Sequence, residues 1–227
     1  MRQLVRRTPR ERSTRPLQGY KLAFPMLSAD GSEAGFSGVT LGRTHVYGSS
    51  SDAVCAYRMR HSSPGGFCEC GFYCFHQAAD AWALACDAEY RNTVMLEVSA
   101  SGKYLRYERG LRYAEQQVRA VRLGRCICGR AAQFLVDAGS GTVGWRQLMP
   151  TCIACVGTHP ALTPAMFGQL AGGLPVTSDD SPQLAPRPVE NELESAALVP
   201  LLSAEVALLQ ARLDDVQARL ERLTGSG

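Results

Sequence analysis

Cys126-Ile127-Cys128-Gly129, followed after twenty-two residues by Cys152-Ile153-Ala154-Cys155, says more about this chain than any other stretch. Two close cysteine pairs separated by a short segment are what a tetrahedral metal site needs, and zinc is the expected ion. It is borderline-soft, takes thiolate and imidazole, and closes its shell with four protein ligands. Each pair suits a tight turn, with Gly129 relieving the backbone after Cys128. The segment between the pairs has the length of a β-hairpin or ribbon. CxC is a tighter chelate than CxxC, which leaves open that one of Cys126 and Cys128 is spare. Buried thiols without metal and an iron–sulfur cluster are the competing readings.

Upstream, Cys55, His61, Cys68 and Cys70 repeat the logic, with Pro64-Gly65-Gly66 turning the chain so that Cys68 returns toward His61. Cys74 and His76 are nearby alternatives. The sequence thus predicts two zinc ions per chain. Neither set reads as catalytic, because a catalytic zinc keeps one position open and has an acid or base beside it. The zinc deaminase signature fails: Pro150-Thr151-Cys152 breaks its PC step, and His61 is followed by Ser62-Ser63 rather than by a glutamate two residues on. GxSxG, HExxH and a Gly-rich phosphate loop are all missing, so no enzyme is expected.

The chain has 227 residues, a net charge of +3 and nine cysteines. Such a charge does not announce a polyanion partner for the whole molecule. The N-terminus is basic, however: Arg2, Arg6, Arg7, Arg10, Arg12 and Arg15 precede residue 16, with Glu11 the only acid among them. Nucleic acid is a possible partner for this arm, and Arg119, Arg122, Arg125 and Arg130 add to that reading. No apolar run suggests a secretion signal or a membrane span, so no membrane is expected and reduced thiols in the cytoplasm are.

Residues 1–17 read as a basic arm with nothing to bury, and 18–157 as the zinc-binding domain. Its fold class is expected to be α+β, with short antiparallel strands and one or two helices. A strand is predicted over 38–47 and a helix over 76–90 that buries Ala79, Trp82, Ala83 and Cys86. A hairpin is predicted from 93–99 and 103–108, turning at Ala100-Ser101-Gly102. A helix is expected over 113–123, with strands at 131–137 and 144–148. Seven of the twelve prolines fall in 158–200, which reads as an extended linker with at most a transient helix over 162–174.

The segment 201–224 carries Leu202, Val206, Leu209, Leu213, Val216, Leu220 and Leu223 in alternating steps of four and three. This is the seam of a coiled-coil helix, offered to a second copy or to a protein partner. Gln210, Gln217, Arg212 and Arg219 flank it and supply little charge pairing.

Between Phe36 and Cys155 the chain resembles a poorly characterised zinc-binding domain of actinobacterial and actinophage proteins. The matching residues are Val54-Cys55, His61, Pro64, Cys68-Glu69-Cys70-Gly71 with Phe72-Tyr73, the stretch Gly110-Leu111-Arg112-Tyr113-Ala114, and the closing CxCG…CxxC. Lys103-Tyr104 and Ser101-Gly102 depart from the pattern. The resemblance implies a compact α+β metal-binding domain and no established activity. The expected role is that of a non-enzymatic zinc-stabilised adaptor, with a nucleic-acid-associated accessory factor as the alternative.

Overall fold

The frame is built from extended segments whose backbone groups must all find partners. The computed structural model describes residues 10–178 apart from 40–44, 56, 58, 59 and 87. The strands are β1 (Arg10–Ser28), β2 (Ala34–Gly38), β3 (Val46–Tyr47), β4 (Ser50–Asp52), β5 (Phe72–Phe75), β6 (Val94–Arg106), β7 (Gly110–Leu123), β8 (Phe134–Thr142), β9 (Trp145–Thr151), β10 (Ala161–Leu162) and β11 (Val176–Ser178). The helices are α1 (Ala78–Ala85), α2 (Ile153–Val156) and α3 (Pro164–Leu170), with one 3-10 turn at Ala88–Tyr90. Among the described residues strand outweighs helix, 52% against 13%, which corrects the expected α+β class to a mostly antiparallel β-sheet.

β6 lies between β1 and β7 and is antiparallel to both, from Arg10↔Leu105 to Ala23↔Val94 on one side and from Val94↔Leu123 to Arg106↔Leu111 on the other. β5 pairs with β7 along its length and touches β1 at Tyr20↔Phe75. The bonded path β1–β6–β7–β5 therefore returns to its start. β2 and β9 extend β1 on opposite edges, β8 and β10 follow β9, β4 lies on β7, and β11 joins β7 in parallel. The enclosed core holds a series of touching rings, Phe167–Phe36–Tyr47–Phe72–Tyr113, with centroids 5.3–6.2 Å apart. α1 covers the other face of the sheet through Ala81, packed with Leu22 and Met95.

Five expectations are corrected by this packing. The basic segment is strand from Arg10 onward, paired to β6, with the Tyr104 hydroxyl donating to Glu11 at 2.7 Å. The hairpin expected around Gly102 is one strand, β6, which runs through Gly102 with a register shift there instead of a turn. The helix expected over 113–123 is β7. Arg119 is an extra residue in the register between Glu97↔Ala120 and Val98↔Val118, so the buried Val118 and Val121 stand three apart and imitate helical spacing. The linker does not begin at 158: α3, capped by Thr163 accepting from the Met166 N–H, places Phe167 fully inside the core. Within α1 the buried residue is Ala81, and Cys86 is exposed rather than buried.

The core also contains a lysine. Lys21 lies on the inner face of β1 with its Nζ 4.7 Å from the Phe72 ring centroid, 4.9 Å from that of Tyr47 and 3.4 Å from Gln116 Oε1. Burial lowers its pKa from 10.5 to about 8, against a smaller opposing pull from Cys74, whose own thiol burial pushes up to about 11. Between about pH 8 and 10.5 the unfolded chain holds more protons than the folded one, so stability rises with pH across that window. Below it the full cost of the buried charge, roughly 3 kcal/mol, is present.

Lys21→Met keeps the apolar stem and removes that cost. It is expected to exceed the parent in urea-unfolding stability at pH 7, with the difference shrinking toward zero near pH 10.5. Phe167→Ala, in the segment read from sequence as linker, is expected to lose about 3–5 kcal/mol in the same measurement. A loss under about 0.5 kcal/mol, the scale of a surface substitution, would contradict the core position of α3.

Candidate metal centres

The connection from β4 to β5 and the two turns flanking the β8–β9 ribbon carry the ligand sets. Cys55, His61, Cys68 and Cys70 each offer a donor atom within 4.8 Å of all the others, and so do Cys126, Cys128, Cys152 and Cys155. The structure brings together all eight residues singled out in the sequence. The two alternatives fall elsewhere. Cys74 belongs to the buried apolar core on β5, and His76 Nε2 lies 3.3 Å from the Tyr107 carbonyl.

In the first cluster Cys55 Sγ is 3.4 Å from His61 Nε2 and 3.7 Å from Cys68 Sγ, and Cys70 Sγ is 3.9 Å from His61 Nε2. His61 Nδ1 lies 3.1 Å from the Ser62 carbonyl, a contact that places the ring proton on Nδ1 and leaves Nε2 as the donor atom for a metal. Cys70 Sγ accepts from Ser63 Oγ at 3.1 Å and from the Gly65 N–H at 3.4 Å, which offsets part of a thiolate's charge. Desolvation pushes the Cys68 thiol up; a hydrogen bond from the Cys70 N–H opposes it, and the Cys70 and Cys55 thiols add to it.

Residues far away in sequence hold this loop. Arg112 of β7, buried, donates to the Cys68 carbonyl at 2.6 Å and to the Gly65 carbonyl at 3.0 Å. Lys103 of β6 donates to Ser62 Oγ at 3.2 Å. Gly65 has no side chain for a packing reason: a Cβ there would stand 2.6 Å from His61 Cε1 and 2.9 Å from Cys68 Cβ. Arg112 lies forty-four positions from Cys68, so no local pattern marks it.

The second cluster begins where β7 ends. The Cys126 N–H donates to the Arg130 carbonyl and the Gly129 N–H to the Cys126 carbonyl, both at 2.8 Å, and Gly129 adopts φ 87° at this turn. Arg125 donates to the Gly129 carbonyl at 2.9 Å. Cys152 sits at the start of α2, and Cys128 Sγ approaches Cys152 Sγ to 3.5 Å. Desolvation favours the neutral Cys152 thiol, but hydrogen bonds from Cys128 and from the Cys155 and Ala154 N–H groups outweigh it and bring the thiol down to about 6. Cys155 is pushed up to about 12 by the thiols of Cys128, Cys152 and Cys126. A bound cation would favour the ionised form of all four sulfurs.

The other residues singled out in the sequence are distributed differently. Arg12 and Arg15 are exposed on β1, with Arg10 at its start. Arg119 donates to Ser99 Oγ at 2.8 Å, and Arg122 donates to Glu97 Oε1 at 2.6 Å through Nε. Arg2, Arg6 and Arg7 lie outside the described residues, as does the whole seam from Leu202 to Leu223. No helix among the described residues is long and apolar enough to cross a membrane.

Arg112→Met is expected to weaken metal binding at the first cluster about 10–100-fold and to leave the second unchanged. Chelator competition with separate equivalents resolves the two. Equal weakening of both, or of neither, would contradict the clamp. No described protein family, curated protein or solved structure matches this chain.

Proposed function

We propose that the chain is a zinc-stabilised, non-enzymatic interaction protein. The observation that carries this reading is the four-donor closure of both clusters, in which every donor lies within 4.8 Å of its three companions. Zinc–sulfur bonds of about 2.3 Å in a tetrahedron set neighbouring sulfurs about 3.8 Å apart. The sulfur separations of 3.7 and 3.5 Å support that ion. Four protein ligands leave no position for a reacting water, which favours a structural role over hydrolysis.

A zinc-stapled scaffold acts through what it presents. Ile127 and Ile153, 71% and 63% exposed, stand on the chelating turns of the second cluster. The sequence adds the heptad seam from Leu202 to Leu223 as a site of self-association or partner capture.

Elemental mass spectrometry of protein purified under reducing conditions is expected to give two zinc ions per chain, and a chelator is expected to lower the melting temperature by at least 10 °C, roughly the effect of losing a few kcal/mol. One zinc or none would overturn the closed-site reading. Placing Asp at Leu213 and Leu220 is expected to reduce the mass in light scattering while zinc content stays at its parent value. An unchanged mass would remove self-association from the proposal.

A further inference from the structure

The two clusters differ in what shields their sulfurs. In the first, Cys55, Cys68 and Cys70 are all buried, and the fourth donor is an imidazole, which cannot enter a disulfide. Ser63 Oγ and the Gly65 N–H donate to Cys70 Sγ, and Arg112 fastens the loop at the Cys68 carbonyl. The second set is all sulfur, and half of it is open to solvent. Cys128 and Cys155 are exposed, whereas Cys126 and Cys152 are buried. Cys128 Sγ stands 3.5 Å from Cys152 Sγ, and all four sulfurs lie within 4.8 Å of one another. An accessible thiolate with a second thiolate at contact distance is what peroxide-driven disulfide formation needs. Four thiolates around a divalent cation also leave more negative charge than three thiolates and an imidazole, which keeps the sulfurs more nucleophilic.

We propose that Cys128 is the site at which peroxide oxidises this protein, and that its disulfide with Cys152 opens the second cluster. The Cys128 thiolate attacks one oxygen of hydrogen peroxide. An S–O bond forms, the O–O bond breaks, and hydroxide leaves. The Cys152 thiolate then attacks the Cys128 sulfur, forming the S–S bond and expelling a second hydroxide. Two electrons pass from the two sulfurs to one peroxide. Cys126 and Cys155 remain as donors, and two thiolates do not close a zinc shell. The turns set free are those that carry the exposed Ile127 and Ile153, while the first cluster stays closed. This inference rests on the closed-site reading, since coordination keeps the Cys128 and Cys152 sulfurs ionised and adjacent. Cys86 is exposed as well, but its sulfur donates to the Trp82 carbonyl at 3.6 Å and belongs to neither cluster, so its oxidation releases no metal.

The test treats the full zinc-loaded chain with a small excess of hydrogen peroxide. Released zinc is read with a chromogenic chelator, and disulfides by peptide mapping without reductant. One of the two zinc ions is expected to leave each chain, with Cys128 joined to Cys152 as the first disulfide and two hydrogens lost from the intact mass. Dithiothreitol with added zinc is expected to restore the second equivalent, because a disulfide is reversible where a sulfinic acid is not. Cys86→Ser is expected to release zinc as the parent does. Cys128→His combined with Cys155→His keeps four donors, removes both exposed thiols and is expected to retain both ions over the same period. If that variant does not load two zincs, the disulfide map of the parent decides alone. The proposal is overturned by release of both ions together, by a first disulfide among Cys55, Cys68 and Cys70, by modification of Cys86 alone, or by a loss that dithiothreitol does not reverse. A starting content of one zinc, with the second-cluster thiols open to alkylation, would overturn the closed-site reading and this inference with it. Two zincs with thiols that peroxide leaves unchanged overturn this inference alone.

Discussion

Nineteen residues of extended backbone from Arg10 to Ser28 expose two rows of N–H and C=O groups, and each row has to be paired. One edge is taken by β6 and then β9, the other by β5 and then β2. Tyr20, Ala23 and Met26 each have partners on both sides. A buried backbone group left unpaired costs as much as a lost hydrogen bond, so β1 stays extended where it is shared. The circuit through β6, β7 and β5 then encloses the core. What lies inside must be apolar or internally bonded, as the aromatic series and the Tyr113–Gln116 contact at 3.1 Å are. Lys21 brings a charge into this core, cushioned by two rings and bonded to the Gln116 side-chain amide, while Tyr47 Oη and Gln116 Nε2 are buried without a hydrogen-bond partner.

The strand network leaves the connections unsupported, and the cysteine clusters sit there. Nineteen residues separate β4 from β5, a length that needs its own means of ordering. The first cluster draws ligands from both ends of that connection. The second joins the turn after β7 to the start of α2, closing the mouth of the β8–β9 ribbon. β7 serves both: Arg112 near its start clamps the first loop, and its last residue, Leu123, is three positions before Cys126. Metal binding of this type contributes on the order of 10 kcal/mol to ordering in small metal-dependent domains, far more than a few surface hydrogen bonds. The long sheet supplies the frame, and metal held by the two clusters would fix the segments that the sheet does not reach.

The ligands were legible because chelation is local in sequence. CxC, CxxC and the Pro64-Gly65-Gly66 turn announce themselves within a few residues, and the ribbon between Cys128 and Cys152 follows from its length and alternation. The long strands were not legible, because their signal is interrupted by features visible only in a register. Arg119 shifts the phase of β7 so that Val118 and Val121 look helical, and Gly102 within β6 looks like a hairpin turn. The strand character of Arg10–Leu17 depends on pairing with residues about ninety positions away, which composition cannot show. Proline content marked 158–200 as linker, yet within it Pro164 starts a helix, a position where a missing N–H does no harm, and Phe167 anchors it. Arg112 stood in the sequence only as part of a matching stretch, and its clamping role escaped notice for the same reason as β1: its partners are distant in the chain.

Side chains next to metal ligands are a further constraint on function. A cysteine that turns inward to a metal turns its sequence neighbours outward, and at those positions solvent would favour polar residues. This chain instead places Val54 beside Cys55, Phe67 beside Cys68, Ile127 between Cys126 and Cys128, and Ile153 beside Cys152, all exposed. Each leaves apolar surface in water at about 25 cal/mol per Å². Elsewhere on the sheet the cross-strand neighbours of the core are polar or charged, as Gln117, Arg119 and Lys103 are. The same choice at both clusters is not required by the fold, since none of the four contributes to the buried core. It is consistent with contact points that bound metal would hold rigid, available for binding without further ordering of the backbone.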